Sequence, residues 1–74
     1  MFTQNLIDQI YNAISNYYTD EVGTSFIYID IETLMVHSSN TPRNYVCIFV
    51  AKELLVDENK YKAIIEMALL KYFN

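Results

Sequence analysis

The chain has one histidine, His37, and one cysteine, Cys47, to offer for proton transfer or nucleophilic attack. A general base needs a proton donor within hydrogen-bond reach and a partner that orients it. His37 sits in a strand-like stretch near Tyr28 and reads as a surface or packing residue. Cys47 lies in the middle of an uncharged run with no cation beside it in sequence, so a buried, inert thiol is expected. One Cys and one His do not complete a structural zinc site within a single chain. A phosphate-cradling loop needs several glycines, and Gly23 is the only one. The acid pairs Asp20-Glu21 and Asp57-Glu58 read as a loop charge and a helix start, the second favoured by the helix dipole. Asp30 and Glu32 lie among the aromatic residues, where acids keep a surface soluble or meet a basic partner. The expectation is a protein that is not an enzyme, with no catalytic residue, no metal and no cofactor.

The rest of the composition points to contact rather than chemistry. The 74 residues make one domain, 1–74, of which 53% is apolar and 15% aromatic. A chain this short buries only roughly 60% of its unfolded surface. Part of that apolar content must therefore stay outside, either scattered or gathered into a patch. The formal net charge is −4, with a pI near 4.6. Five basic residues, Arg43, Lys52, Lys60, Lys62 and Lys71, are few for a phosphate backbone, so nucleic acid is not the expected partner. No apolar run approaches the ~20 residues of a membrane span, and no signal peptide is visible. A soluble, cytoplasmic protein is expected, with no membrane partner.

Hydrophobic spacing supplies the elements. Phe2, Leu6, Ile7, Ile10, Ile14, Tyr17 and Tyr18 recur at three- and four-residue steps and predict a helix over 2–18. Thr3 is its candidate N-cap, with Phe2 and Ile7 placed as a staple. Gly23 is suited to reversing the chain after the helix. Ile27, Ile29 and Ile31 alternate with Phe26, Tyr28 and Asp30, the period of a strand. A break at Glu32-Thr33 predicts a hairpin in which Ile31 faces Leu34 and Ile29 faces Val36. "SNTPRN" at 39–44 is a loop, and Tyr45 to Ala51 a third strand at the sheet edge. "KELL" is a short connection. The last helix starts at Asp57 as N-cap, with Val56 and Tyr61 as staple and Glu58-Lys62 and Lys62-Glu66 as four-residue pairs. Ile64, Ile65, Ala68, Leu69 and Tyr72 form its inner face, widened by Met67, Leu70 and Phe73.

The predicted fold is α+β in the order α-β-β-β-α, a three-stranded antiparallel sheet with two helices packed mainly on one face. The covered face then carries Ile27, Ile29, Ile31, Leu34, Val36, Val46, Ile48 and Val50. The other face displays Phe26, Tyr28, Asp30, Met35, His37, Tyr45, Cys47 and Phe49. An open antiparallel sheet is normally polar there. At ~25 cal/mol per Å² and about 100 Å² per ring, hiding four rings is worth several kcal/mol. That rivals the whole stability of a small domain. Phe26, Tyr28, Asp30, Met35, His37, Tyr45 and Phe49 are therefore the candidate partner-binding residues. The occupant is another protein, a second copy in a homodimer, or a helix of the chain itself if the two helices lie on opposite faces.

Two resemblances follow. The element order, with "KYKAIIEMALLKYF" as last helix, is similar to that of double-stranded-RNA-binding domains. That likeness implies RNA contacts from Arg43, Lys60 and Lys62, although a full lysine cluster and a Gly-Pro-x-His loop are missing. As a small, acidic chain without a catalytic set, the protein also resembles phage-encoded inhibitors of host machinery, anti-CRISPR proteins among them. That likeness implies inhibition by occupying a host or defence protein. The expected function is a protein-binding module of this inhibitor type, with the RNA-binding domain as the alternative.

Overall fold

A computed structural model describes residues 2–18 and 24–73. The first helix, α1 (Gln4–Tyr17), starts where the Thr3 hydroxyl accepts a hydrogen bond from the Leu6 N–H at 3.2 Å. Its buried stripe is Ile7, Ile10, Tyr11 and Ile14. Tyr17, expected on that stripe, is exposed, and Tyr11 takes the inner position. Phe2 packs against the core and lies 5.8 Å from the ring of Phe73. The reversal expected at Gly23 lies outside the described residues.

Three strands form the sheet: β1 (Thr24–Asp30), β2 (Val36–His37) and β3 (Tyr45–Ala51). Their order is β2-β1-β3, both pairings antiparallel. Ile29 pairs with Val36, the register the hydrophobic alternation predicts. The turn is wider than the expected two residues. Asp30 and Met35 close it through Asp30 N–H to Met35 C=O at 2.9 Å, leaving 31–34 as the loop. The Leu34 N–H returns to the Asp30 carbonyl at 2.6 Å, which puts Leu34 at φ 61. Asp30 makes this possible: its Oδ1 accepts the N–H groups of Glu32 at 2.8 Å and Thr33 at 3.4 Å. A short Asp side chain that bonds the backbone ahead of it substitutes for the missing Asn-Gly.

After β2 the chain passes the end of β1 and returns as β3 on its other side, so the first strand is central. "KELL" is a short helix, α2 (Lys52–Leu55), rather than a plain connection. Asp57 caps the last helix, α3 (Glu58–Phe73), its Oδ1 accepting the Lys60 N–H at 3.2 Å. The staple expected from Val56 does not form: Val56 is 77% exposed, while Tyr61 is fully buried. Tyr72, assigned to the inner face, is exposed, as are Met67 and Phe73. Of the expected inner face the helix fully buries Ile65 and Leu69, together with Tyr61, a narrower stripe at four-residue steps.

Both long helices share one core with one side of the sheet. Ile7, Ile10 and Ile14 meet Ile27, Ile29, Val36, Ile48, Val50, Ile65 and Leu69. Ile31, Leu34 and Val46 are partly buried against them. Two tyrosine hydroxyls tie the layers together. Tyr11 donates to the Leu55 carbonyl at 2.7 Å and Tyr61 to the Phe49 carbonyl at 2.9 Å, with the two rings 6.2 Å apart. The α+β fold with helices against one sheet is thus present, with α2 as an added turn of helix.

Two outcomes follow. Burial raises the Tyr61 phenol from 10.0 to about 12. Its folded value lies above its unfolded one, so this stabilisation is complete below pH 10.0 and lost as the pH rises toward about 12. Tyr61→Phe should cost about 1 kcal/mol at neutral pH by denaturant melts and flatten the alkaline fall of stability. Asp30→Ala should also cost about 1 kcal/mol, and Asp30→Asn less, because the amide oxygen keeps the turn bonds.

Candidate protein-binding face

Side chains alternate along a strand, so the strand pairing decides which residues share the side away from the helices. Phe26 stands opposite Phe49, Tyr28 opposite both Cys47 and His37, and Asp30 opposite Tyr45. The Ile31 N–H bonds the Asn44 carbonyl at 3.0 Å, which sets the hydrogen-bonded pairs of this ladder at odd β1 positions. Phe26 and Phe49 are therefore a non-hydrogen-bonded pair, the kind whose side chains approach closest. Their rings meet edge to face, 5.4 Å between centroids at 66°. Tyr28 reaches diagonally to Tyr45, 5.3 Å at 88°. Each such pair is worth about 0.5–1.5 kcal/mol beyond its buried area.

These contacts seat the rings without covering them. Phe26 is 54% exposed, Phe49 45%, Tyr45 42% and Met35 62%. Tyr28 and His37 are half-buried among their neighbours. No helix of the described chain lies over this side; the core residues come from the opposite face of the same strands. Met35 sits at the rim, where the face adjoins a cleft of about 360 Å³ between α1 and the β1–β2 turn, lined by Leu6, Ile10, Ala13 and Tyr17.

The chemistry-bearing residues are placed as follows. Cys47 is exposed, which corrects the expectation of a buried thiol. The uncharged run that suggested burial is a strand with one dry face, and Cys47 is on the other. His37 and Cys47 flank Tyr28 from the two outer strands, about 10 Å apart across the sheet. That is far beyond the reach of a shared proton. Asp30 belongs to the same face by register, but its Oδ1 is engaged in the turn. Glu32 accepts from the Asn44 side chain at 3.4 Å. Among the described residues no group of three or more His, Cys, Asp or Glu could hold a metal ion.

Of the three basic residues of the RNA-binding alternative, Lys62 is engaged in ion pairs. Lys62 lies 2.8 Å from Asp8 and 2.6 Å from Glu58, with its ammonium 5.4 Å from the centroid of the Tyr11 ring. The Asp8 and Glu58 carboxylates hold its pKa above the ordinary lysine value. Lys62 in turn, with Gln4, holds the Asp8 carboxyl below its usual range. A lysine so engaged joins α1 to α3 and has little left for a phosphate. Lys60 is exposed at the start of α3, next to the Tyr61 that bonds Phe49. Arg43 enters β3 at the opposite end.

Two structural tyrosines escaped the sequence reading. Tyr11 falls one step outside the isoleucine spacing, and Tyr61 was matched to Val56; a tyrosine within an apolar stripe near a helix start was the available signal.

The exposure of Cys47 has a direct readout. In native buffer its thiol should react with a maleimide or an aromatic disulfide reagent stoichiometrically, within about tenfold of the rate of a free thiol. A buried thiol would react only on denaturation. No protein-family model, curated protein or solved structure matches this chain.

Proposed function

We propose that this protein is a non-enzymatic protein-binding module whose bare sheet face covers an apolar surface of a partner. The observation that carries the reading is the exposure of Phe26, Tyr45 and Phe49, three rings between 42% and 54% open on the side away from the helices. Aromatic residues and Met are the types enriched at the centres of protein interfaces, where they add apolar area at small entropic cost. Around these rings lie Met35, Cys47, Tyr28 and His37, all without a formal positive charge in their neutral forms. A partner suited to it is apolar and aromatic at its centre, with polar groups at its rim for the tyrosine hydroxyls.

The chain then acts by occupancy, in the manner of a small inhibitor that blocks a host or defence protein. The wide separation of His37 and Cys47 supports this reading over catalysis. The engagement of Lys62 with Asp8 and Glu58 supports it over RNA binding.

The double variant Tyr28→Ser, Phe49→Lys tests the reading. It should keep the far-UV circular dichroism of the native fold and lose a protein that the wild type captures, with affinity down at least about 100-fold. If the double variant unfolds outright, these side chains are part of the core and the reading fails.

A further inference from the structure

We propose that two copies of this chain join edge to edge through β3, antiparallel about a two-fold axis at Cys47. The product is one continuous sheet, β2-β1-β3-β3-β1-β2, with both aromatic faces on the same side. This goes beyond the docking face: it concerns the backbone edge of the sheet and its occupant.

The direction of the backbone groups is the first argument. In an antiparallel ladder the N–H and C=O of one residue point the same way, and successive residues alternate. The bond from Ile31 N–H to Asn44 C=O places Asn44 toward β1. With the β1–β3 register, Val46, Ile48 and Val50 also face β1, while Tyr45, Cys47 and Phe49 turn theirs outward. Among the described residues no hydrogen bond reaches the outward groups of Tyr45 or Cys47. Only the Phe49 carbonyl is met, by the Tyr61 hydroxyl at 2.9 Å. A carbonyl oxygen has two lone pairs, so it still accepts a second donor.

Apart from the Tyr61 hydroxyl at Phe49, this edge carries none of the usual protection. Exposed strands are ordinarily blunted by shortness, lysine, proline or a bulge. The other edge, β2, follows that rule with two residues. The strand at this edge, β3, runs seven residues with no charge and no proline, paired to β1 without a break in register.

The sequence of β3 itself selects the occupant. About Cys47 the strand is chemically palindromic: Tyr45, Val46, Cys47, Ile48, Phe49. Antiparallel self-pairing at that centre sets Tyr45 against Phe49 of the other copy, ring to ring, on the bare face. On the helix side it sets Val46 against Ile48, β-branched to β-branched. Aromatic and β-branched pairs are those that stabilise a sheet most. A two-fold contact is self-complementary by construction, and a palindromic, uncharged strand meets that condition without opposing like charges. Edge pairing buries less than the roughly 1,200 Å² of a standard interface, so the dimer is of the weak, concentration-dependent kind.

Amide hydrogen exchange of the full chain by NMR, from about 10 µM to about 1 mM, tests this directly. The Tyr45, Cys47 and Phe49 amides should slow at least about tenfold as the mass doubles by light scattering. The amides of Val46 and Ile48, already bonded to β1, should change little. Cys47→Pro removes one outward N–H and leaves the β1 ladder intact, so it should stay folded and monomeric. If that variant fails to fold, exchange in the wild type still decides. A chain that stays monomeric throughout overturns the inference. So does a dimer whose outward amides stay unprotected and which Phe26→Ser dissociates: that result places the contact on the aromatic face and leaves the docking reading standing.

Discussion

The structure rests on one constraint: β1 has two faces, and the helices of the described residues cover one. Ile27 and Ile29 are driven from water by two long helices, each fully buried side chain worth about 1.5–3 kcal/mol. Their neighbours Phe26 and Tyr28 are carried to the other side by the pleat alone. The exposed rings follow from strand geometry, and edge-to-face stacking is what the fold offers them.

The helical layer is held in place by polar groups more than its composition suggests. Tyr11 and Tyr61 each reach a backbone carbonyl, one at the end of α2 and one on the outer side of β3. Lys62 lies against Asp8 of α1, Glu58 of its own helix and the Tyr11 ring. The exposed ion pairs contribute little energy singly. Their effect is to fix how α1 and α3 sit against each other, which an apolar stripe leaves free to slide.

Much of this was legible from the order of residues, because a period of two leaves little choice. The alternation of isoleucines with rings specified both faces, and the pairing of Ile29 with Val36 followed from keeping apolar residues on one side. Other features depend on contacts that no spacing encodes. The width of the turn is set by the Asp30 carboxylate bonding forward, which a residue count does not distinguish from a tighter reversal. Val56 was placed by a staple pattern, yet α2 intervenes and leaves it in water. Tyr72 and Tyr17 lie at helix positions where one step of rotation separates core from solvent, and spacing alone does not fix that rotation. Cys47 is exposed although its uncharged run resembles a strand buried on both sides.

The position of β1 in the middle of the sheet also governs the order in which the molecule can assemble. As the chain is synthesised, α1, β1 and β2 emerge first, but β1 then has only the two-residue β2 to hold. Its long ladder waits for β3, across the 38–44 connection, and the core closes only when Tyr61, Ile65 and Leu69 arrive with α3. Folding therefore depends on contacts between residues far apart in sequence, the β1–β3 ladder above all, and long-range pairing of this kind slows folding.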